Sequence, residues 1–240
     1  MFVLWMVLAV VFFVLFIALG TWQVHRYHVR KHISHAMRTR VHADPVAAPG
    51  PAQWSKIDAG HLQYLHVSLA GHYLPIKQTL VRGSSSDGYG YWVMAPLQTE
   101  RGFIVLVNRG YIPASLPGTP AFKHAQPPTG KVDLSGLLRS SEPGGGFMRA
   151  NKPDKGLWYS RDVKAIAASD HLAADHVAPY FVDADAVANS PHWPVAGLTR
   201  VTIYNESMGY AITWYALALG TLLAAGIVIR YERARQPAAD

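Results

Sequence analysis

The chain has 240 residues, of which 50% are hydrophobic and only 15% are charged. Soluble proteins carry roughly 25% charged residues, so this composition argues against a disordered chain and against a wholly water-exposed globule. The net charge is +7 at pH 7, and the sequence contains no cysteine. Disulfides, thiolate metal sites, iron–sulfur clusters and cysteine nucleophiles are therefore excluded.

Two runs without a charged side chain account for the low charge, residues 1–21 and 209–229. Each is about long enough to cross the hydrocarbon core of a bilayer as a helix. We interpret them as transmembrane helices 1 and 2, because a helix pairs every backbone polar group internally. A cleaved signal peptide is the alternative for the first run. It fits poorly, since no basic segment precedes the run and no Ala-x-Ala-like site follows it.

Two spans place both termini on one side of the membrane and the middle of the chain on the other. The tail, residues 230–240, begins with the basic sequence RYERAR, so the positive-inside rule predicts that it is cytoplasmic. The segment after the first span is also basic and favours the opposite orientation, but long loops count less in this rule. We therefore expect an extracytoplasmic domain whose basic surface is attracted to anionic lipid headgroups. Nucleic-acid binding is not expected.

The middle of the chain predicts a helical extension and then a β-rich domain. Residues 22–42 form the extension and a basic juxtamembrane segment, because neither Gly nor Pro interrupts the helix before about Met37. Residues 43–208 form the domain. Its strand-like runs are LHVSLAGHYL, KQTLVR, YGYWVMAPL, FIVLVNRGYI, KVDLSGLL, PYFVDA and RVTIY. FIVLV is apolar on both faces, which indicates a central strand.

One short helix is predicted within the domain, from about Arg161 to His171. Ser160 can serve as its N-cap, and Asp162 lies in its first turn. We expect Trp158, Tyr159 and Asp162 to anchor this helix on the sheet, and Gly136 to mark a β-bulge. The predicted fold class is a membrane α+β protein, in which two transmembrane helices flank a mostly antiparallel β-rich extracytoplasmic domain, built as a small sheet or barrel.

Several motifs together resemble one family. GTWQVHR follows the first span, YGYWVMAPL precedes VLVNRGYIP, NKPDKGLWYSRDV follows, and MGYAITWYALA enters the second span. These motifs resemble the surfeit locus protein 1 family, whose members are assembly factors for haem–copper cytochrome oxidases, and the similarity runs from about residue 20 to residue 231. The resemblance implies a multi-pass protein of the bacterial inner membrane with its domain in the periplasm, or of the mitochondrial inner membrane in a eukaryote. It also implies a non-enzymatic role in maturing oxidase subunit I, linked to haem a insertion.

One position departs from the family. Members commonly carry a histidine three residues before the tyrosine at the second span, and that histidine has been linked to haem iron. Counted back from Tyr210, this place is Ser207, whose hydroxyl is a poor iron ligand beside imidazole. Either another histidine substitutes for it, or this member acts by protein contact alone.

We expect a cofactor site for haem a where the spans meet the domain. Its candidate residues are Trp22, Gln23, His25, Arg26, His28, Tyr210 and Trp214. Arg26 lies about one turn beyond the membrane edge, where it can meet a haem propionate, a lipid phosphate or a partner carboxylate. Snorkelling towards lipid headgroups explains the same position equally well.

A histidine stripe near this site supports a second hypothesis. His25, His28, His32 and His35 share one face of a helix and so suggest a metal carrier. We favour a solvent-exposed, basic helix face instead, because neighbouring cations oppose metal binding and no carboxylate that could support the ligands is apparent.

Partner contacts are expected at Arg109, Ala216, Gly220 and Ala224. The last three recur every four residues, and small side chains at this spacing let another helix approach closely, either the first span or an oxidase helix. Arg109 has either a structural role or a role in partner recognition. No catalytic site is expected, since G-x-S-x-G, Walker and H-E-x-x-H motifs are missing. A membrane-anchored chaperone without haem and a membrane-tethered enzyme remain alternatives.

Overall fold

The computed structural model describes residues 2–55, 57, 62–86, 88–146, 148–186, 193–199 and 206–235, apart from the side chains of residues 2, 32–36, 38 and 235. The chain divides into two compact units, residues 1–36 with 202–240, and residues 37–201. The helices are α1 (Phe2–Val41), α2 (Pro51–Trp54), α3 (Val163–Ser169) and α4 (Ser207–Arg235).

Two long apolar helices, α1 and α4, build the first unit. The segments Val3–Lys31 and Ser207–Ala234 are long and apolar enough to cross a membrane. Only 6% of the most apolar window of each helix is buried within the protein, so neither helix is the core helix of a soluble domain. Apolar side chains face outwards along both, as expected where lipid rather than water surrounds them. α1 continues without a break beyond Met37 to Val41.

The second unit is a small β-barrel. Its strands are β1 (Val46–Ala47), β2 (His66–Tyr73), β3 (Thr79–Ser85), β4 (Gly88–Thr99), β5 (Ile104–Pro113), β6 (Lys131–Ser140) and β7 (Val177–Ala184). The strand order is β1-β2-β6-β7-β5-β4-β3, and an additional pairing of β2 with β4 closes the barrel. Among the pairs of these seven described strands, β1–β2 and β5–β7 are parallel and the others are antiparallel. The predicted fold class, with its flanking helices and mostly antiparallel domain, is confirmed.

The central strand explains how the domain forms its core. Val105 and Val107 of β5 lie in one buried cluster, while Ile104 and Leu106 lie in another. The period-2 alternation of a strand thus buries both of its faces, as the FIVLV run predicts. The second cluster is covered by α3, whose Ile166 is fully buried. Burying a side chain of this size stabilises a fold by roughly 1.5–3 kcal/mol.

Two local predictions are wrong. The soluble helix is shorter than expected, and its N-cap is Asp162, whose Oδ1 accepts a hydrogen bond of 3.1 Å from the Ala165 backbone N–H. Ser160 is instead buried beside Asn151, whose side-chain amide donates to it. Gly136 forms no bulge, because β6 pairs in regular register with both β2 and β7 at this residue. The RVTIY run, residues 200–204, lies outside the described residues.

Glycine is required at position 136 for a different reason. A Cβ atom there would collide with the backbone oxygen of Asp183 on β7. The close approach of the neighbouring strand, rather than a bulge, therefore requires glycine.

Candidate functional site

Aromatic rings and one glycine bring α1 and α4 together within the first unit. The Phe16 and Trp214 rings stack with their centroids 5.8 Å apart. Gly20 lies against Tyr215, since a Cβ atom on Gly20 would come within 2.8 Å of Tyr215 Cε1. The Thr21 and Tyr215 hydroxyl oxygens are 3.3 Å apart. Gly20 therefore allows the tyrosine ring to pack directly on the α1 backbone.

The predicted small-residue stripe of α4 is exposed in this unit. The buried small residues of α4 are Ala211 and Ala218, each with 1% exposure. Ala216, Gly220 and Ala224 are exposed, and space is open around Gly220. α1 thus contacts a different face of α4, and the stripe remains accessible to lipid or to another helix.

A polar cavity of about 380 Å³ lies at one end of the helix pair. Its lining residues are Gln23, Arg26, Arg30, Glu206, Ser207 and Tyr210. The three from α1 are spaced by three and four residues, which places them on one helix face. Ser207 and Tyr210 belong to the first turn of α4, and the Tyr210 backbone N–H donates to the Glu206 carbonyl over 3.3 Å.

The lining favours an anionic ligand. Two guanidinium groups face one carboxylate, and the buried Gln23 and Ser207 add an amide and a hydroxyl. Guanidinium groups form charge-assisted, often bidentate bonds with carboxylates and phosphates. For a haem, the described lining therefore suits the propionate groups better than the iron, because among its residues Tyr210 alone has a side chain of a type that ligates haem iron.

The structure brings only some of the predicted cofactor residues together. Gln23, Arg26 and Tyr210 line the cavity. Trp22 is 53% exposed, and the Arg26 Cζ atom lies 5.3 Å from its ring centroid. Trp214 lies one turn beyond Tyr210, stacked on Phe16.

The described histidines of the stripe, His25 and His28, lie apart from this cavity. The side chains of His25 and His28 are exposed and are not part of the lining. The side chains of His32 and His35 lie outside the described residues. Within the described part of the chain, no three His, Cys, Asp or Glu side chains are grouped so that they could hold a metal ion.

Two lining residues are missing from the sequence-based prediction, Arg30 and Glu206. The sequence contains a pattern that could have indicated each of them. Arg30 follows Gln23 by seven residues, which is the same helix face. Glu206 is the acidic residue immediately before α4, where a carboxylate is favoured by the N-terminal end of the helix dipole.

The second unit has a buried ionic centre at Asp183, which is 3% exposed. Its carboxylate accepts hydrogen bonds from four side chains that come from four different segments. The donors are Asn108 at 2.7 Å, Arg139 at 2.7 Å, Arg161 at 3.2 Å and Thr199 at 2.9 Å. A cleft of about 570 Å³ opens beside this centre.

Arg161 extends this ionic centre to Glu142. Its NH2 nitrogen lies 2.5 Å from the Glu142 Oε1 atom. Burial raises the pKa of Glu142, but the hydrogen bonds and positive charge of Arg161 outweigh burial and lower that pKa overall. The carboxylate therefore remains charged, as a buried partner of a guanidinium group must be to repay its desolvation.

The VNRG motif has mainly structural roles in the domain. Asn108 donates to Asp183, and its own Oδ1 accepts from the Gly110 backbone N–H over 3.1 Å. Gly110 has a φ of +129°, and a Cβ atom there would collide with the Val195 carbonyl. Residues with a Cβ atom rarely adopt a backbone with this positive φ, so glycine is required at position 110.

Arg109 fastens the segment between β5 and β6 to the barrel. Its NH1 donates to Gln78 Oε1 at 2.6 Å and to the Ala125 carbonyl at 2.5 Å, and its NH2 donates to the Gln126 carbonyl at 3.1 Å. Burial lowers the pKa of Arg109. These bonds favour the structural interpretation, since most of its donors already have acceptors within the chain.

His66 joins the two ends of the domain. Its Nδ1 lies 2.7 Å from the carbonyl oxygen of Ala43, just after α1, and its Nε2 lies 2.7 Å from Asp185 Oδ2, just after β7. The Ser135 hydroxyl also donates to that carboxylate. Burial lowers the pKa of His66, but the bonds to Ala43 and Asp185 outweigh burial and raise it overall. Both neighbours are acceptors, so both ring nitrogens donate when the imidazole is protonated.

Comparison with known proteins connects this architecture to a family. The model of the SURF1 family matches residues 10–219. Surfeit locus protein 1 of Rattus norvegicus is 33% identical over 219 residues, covering 85% of this chain and 68% of the relative. The Mus musculus protein of the same name is 32% identical, with the same two coverages. The Homo sapiens protein is 31% identical over 220 residues, covering 85% of this chain and 70% of the relative.

Proposed function

This chain belongs to the SURF1 family, and from this premise we propose that it assists the maturation of subunit I of a haem–copper terminal oxidase. The family is known in general for cytochrome oxidase assembly factors, and two helices suited to a membrane accompany the barrel. The observation that carries the proposal is the polar cavity at the end of the α1–α4 pair, with Arg26 and Arg30 in its lining. Two arginines in the lining suit an anionic group such as a haem propionate.

In the proposed mechanism, the client subunit contacts the chain through the membrane helices. The exposed stripe of Ala216, Gly220 and Ala224 supplies a face on which a client helix can pack closely. Since α1 occupies another face of α4, this contact requires no rearrangement of the helix pair. Holding a client in this way involves no catalytic step, so the proposed role is non-enzymatic.

Haem a is the proposed ligand of the cavity. When bound, the haem supplies the redox-active iron that the oxidase needs. Arg26 and Arg30 would hold its propionates by charge-assisted bonds, while Gln23 and the Ser207 hydroxyl would orient them. Ser207 stands where the family commonly has a histidine, so this position would contribute a hydroxyl rather than an imidazole to the site.

The proposed location is a bacterial inner membrane, crossed twice, with the barrel in the periplasm. Arg230 and Arg233 follow the second span and favour a cytoplasmic tail. In a eukaryotic cell the corresponding location is the mitochondrial inner membrane. A reporter enzyme fused after Asp240 tests this orientation, and its activity on the periplasmic side would contradict it.

A chaperone that binds the client without haem is the second candidate. It is favoured by Ser207 and by the absence of an imidazole among the lining residues that the structure describes. The metal carrier is less favoured, because the described histidines His25 and His28 are exposed and separate from this lining.

An absorption spectrum tests the haem-binding proposal. We would purify the full chain in mild detergent after co-expression with the enzymes of haem a synthesis. A stoichiometric Soret band is expected, and Arg26→Gln with Arg30→Gln should reduce haem occupancy about tenfold or more, since two charge-assisted bonds to propionates are lost. Lys123→Gln with Lys155→Gln is the matched control, since both lysines are exposed and lie outside the helix pair, and it should leave the band unchanged.

Other outcomes of this experiment distinguish the alternatives. A band abolished by His25→Ala or His28→Ala, but insensitive to the two cavity arginines, would assign haem to the histidine stripe instead. A chain that carries no haem yet restores oxidase assembly would support the chaperone without haem.

A further inference from the structure

Two arginines of the barrel domain lie against one tyrosine ring. The Arg82 Cζ atom and the Arg149 Cζ atom each lie 5.6 Å from the centroid of the Tyr159 ring. Both arginine side chains are exposed, and Tyr159 is half-buried. We name Arg82, Arg149 and Tyr159, together with Tyr89 and Met148, the arginine–tyrosine surface.

These two arginines differ from others in the domain in how their donors are used. Arg101 donates to the Ala48 carbonyl, Arg109 to Gln78, and Arg161 to Glu142. By contrast, neither Arg82 nor Arg149 forms an ion pair or a side-chain hydrogen bond with any residue that the structure describes. Both side chains are exposed, so their N–H groups are accessible to a ligand, and each guanidinium also has a cation–π contact with the tyrosine ring.

The tyrosine between them is held firmly. Its backbone N–H donates to Asn151 Oδ1 over 2.8 Å, and the Asn151 amide donates to the Ser160 hydroxyl over 3.0 Å. On the other side, the Arg82 backbone N–H donates to the Trp158 carbonyl over 2.9 Å. The Arg149 backbone is held as well, since its N–H donates to the Gly146 carbonyl over 3.1 Å and its carbonyl accepts from the Gly146 N–H over 2.9 Å. Both arginines thus extend from hydrogen-bonded backbone, which reduces the entropy lost when they bind a ligand.

Exposed apolar side chains accompany the two charges. Tyr89 is 87% exposed and Met148 is 89% exposed. β3 and β4 pair so that Ser84 faces Tyr89 and Arg82 faces Tyr91, and strand alternation therefore places Arg82 and Tyr89 on the same face of the hairpin. Met148 directly precedes Arg149 in the chain. Tyrosine, methionine and arginine are the residue types enriched where proteins bind one another.

We infer that the arginine–tyrosine surface docks an acidic segment of a partner protein. The Arg82 and Arg149 guanidinium groups receive Asp or Glu carboxylates, for which their planar donor geometry is suited. Tyr89 and Met148 cover the apolar part of that segment. A protein is favoured over a lipid surface because large exposed Tyr and Met side chains flank the charges, whereas lipid-binding patches are typically clusters of basic residues. The identity of the partner as a protein of oxidase assembly rests on the proposed function.

Charge reversal tests the inference in the full chain. Arg82→Glu with Arg149→Glu would be introduced into tagged chain, expressed in cells that lack the native protein, and the oxidase subunits that co-purify would be quantified. We expect at least a tenfold loss, because two attractive pairs become repulsive. Lys77→Glu with Lys164→Glu is the matched control, since both lysines are exposed elsewhere on the domain, and co-purification should persist.

A defined probe gives a second measurement. A fluorescent ten-residue peptide rich in glutamate should bind the purified full chain, and its affinity should fall with added salt and in the charge-reversed variant. Arg82→Lys with Arg149→Lys retains the charge but loses the planar fork, so it should bind with intermediate affinity. An unchanged thermal transition in all variants would separate these effects from misfolding.

The results that would contradict docking at the arginine–tyrosine surface differ from those that would contradict the proposed function. Full co-purification and unchanged peptide affinity in the charge-reversed variant would overturn this inference, even if the chain restores oxidase assembly. The charge-reversed variant could also retain co-purification but lose binding to vesicles of anionic lipid. That result would overturn the inference as well, because the surface would then bind the membrane rather than a protein. Failure of the unaltered chain to restore any oxidase would overturn the proposed function itself.

Discussion

Replacing Asp183 with asparagine removes the negative charge that Arg139 and Arg161 share inside the barrel. The carboxylate is 3% exposed and each arginine side chain is 14% exposed, so solvent compensates little of the loss. Removing one partner of a buried ion pair costs about 3–5 kcal/mol. We take about 3 kcal/mol, the lower end, because the arginines retain some contact with water and asparagine can still accept a hydrogen bond.

For a protein of this size, each kcal/mol shifts the thermal midpoint by about 2–4 °C. Asp183→Asn should therefore lower the midpoint by about 6–12 °C, measured by near-UV circular dichroism of the full chain in mild detergent. Asp175→Asn is the control, because that carboxylate is 81% exposed and lies 3.8 Å from the Nε2 atom of the exposed His176 side chain. A midpoint for Asp183→Asn within about 2 °C of the unaltered chain would show that the Asp183 charge does not stabilise the barrel, since a buried charge would then have been lost at no cost.

Two further predictions concern His66 and Gly20. The raised pKa of His66 means that its bond to Asp185 contributes stability fully below the unfolded value of 6.5 and loses it as the pH rises through the folded value. The difference in free energy of unfolding between the native chain and His66→Gln, measured by denaturant titration, should thus shrink as the pH rises. A difference that stays constant with pH would contradict a stabilising bond between protonated His66 and Asp185. Gly20→Ala should disrupt packing against Tyr215 and lower oxidase assembly, whereas Gly209→Ala, with open space around it, should not.

The strands were the most predictable part of the fold. FIVLV predicts the central strand β5 because its apolar residues occupy both faces, and the neighbouring run YGYWVMAPL predicts its hairpin partner β4. The start of α3 was less predictable, since Ser160 and Asp162 are both good cap residues. The choice depends on Asn151, which engages the Ser160 side chain and leaves the cap to Asp162.

Contacts between distant segments explain what the sequence does not reveal. Asn108, Arg139, Arg161 and Asp183 are far apart along the chain, so no local pattern indicates that they meet at one ionic centre. The cavity was partly predictable, because Gln23 and Arg26 follow the first span on one helix face. The exposure of His25 and His28 depends on which face of α1 meets α4, and spacing alone does not determine that.

Oxidase assembly in cells that lack this chain is the most direct test of its proposed role. Membranes from a deletion strain would be assayed for cytochrome c oxidase activity and for the haem a absorbance of assembled subunit I, with and without a plasmid copy of the chain. Both signals should fall severalfold in the deletion strain and be restored by the plasmid copy. Unchanged activity and haem a absorbance in the deletion strain, with no other family member encoded in its genome, would show that the chain is not needed for oxidase assembly.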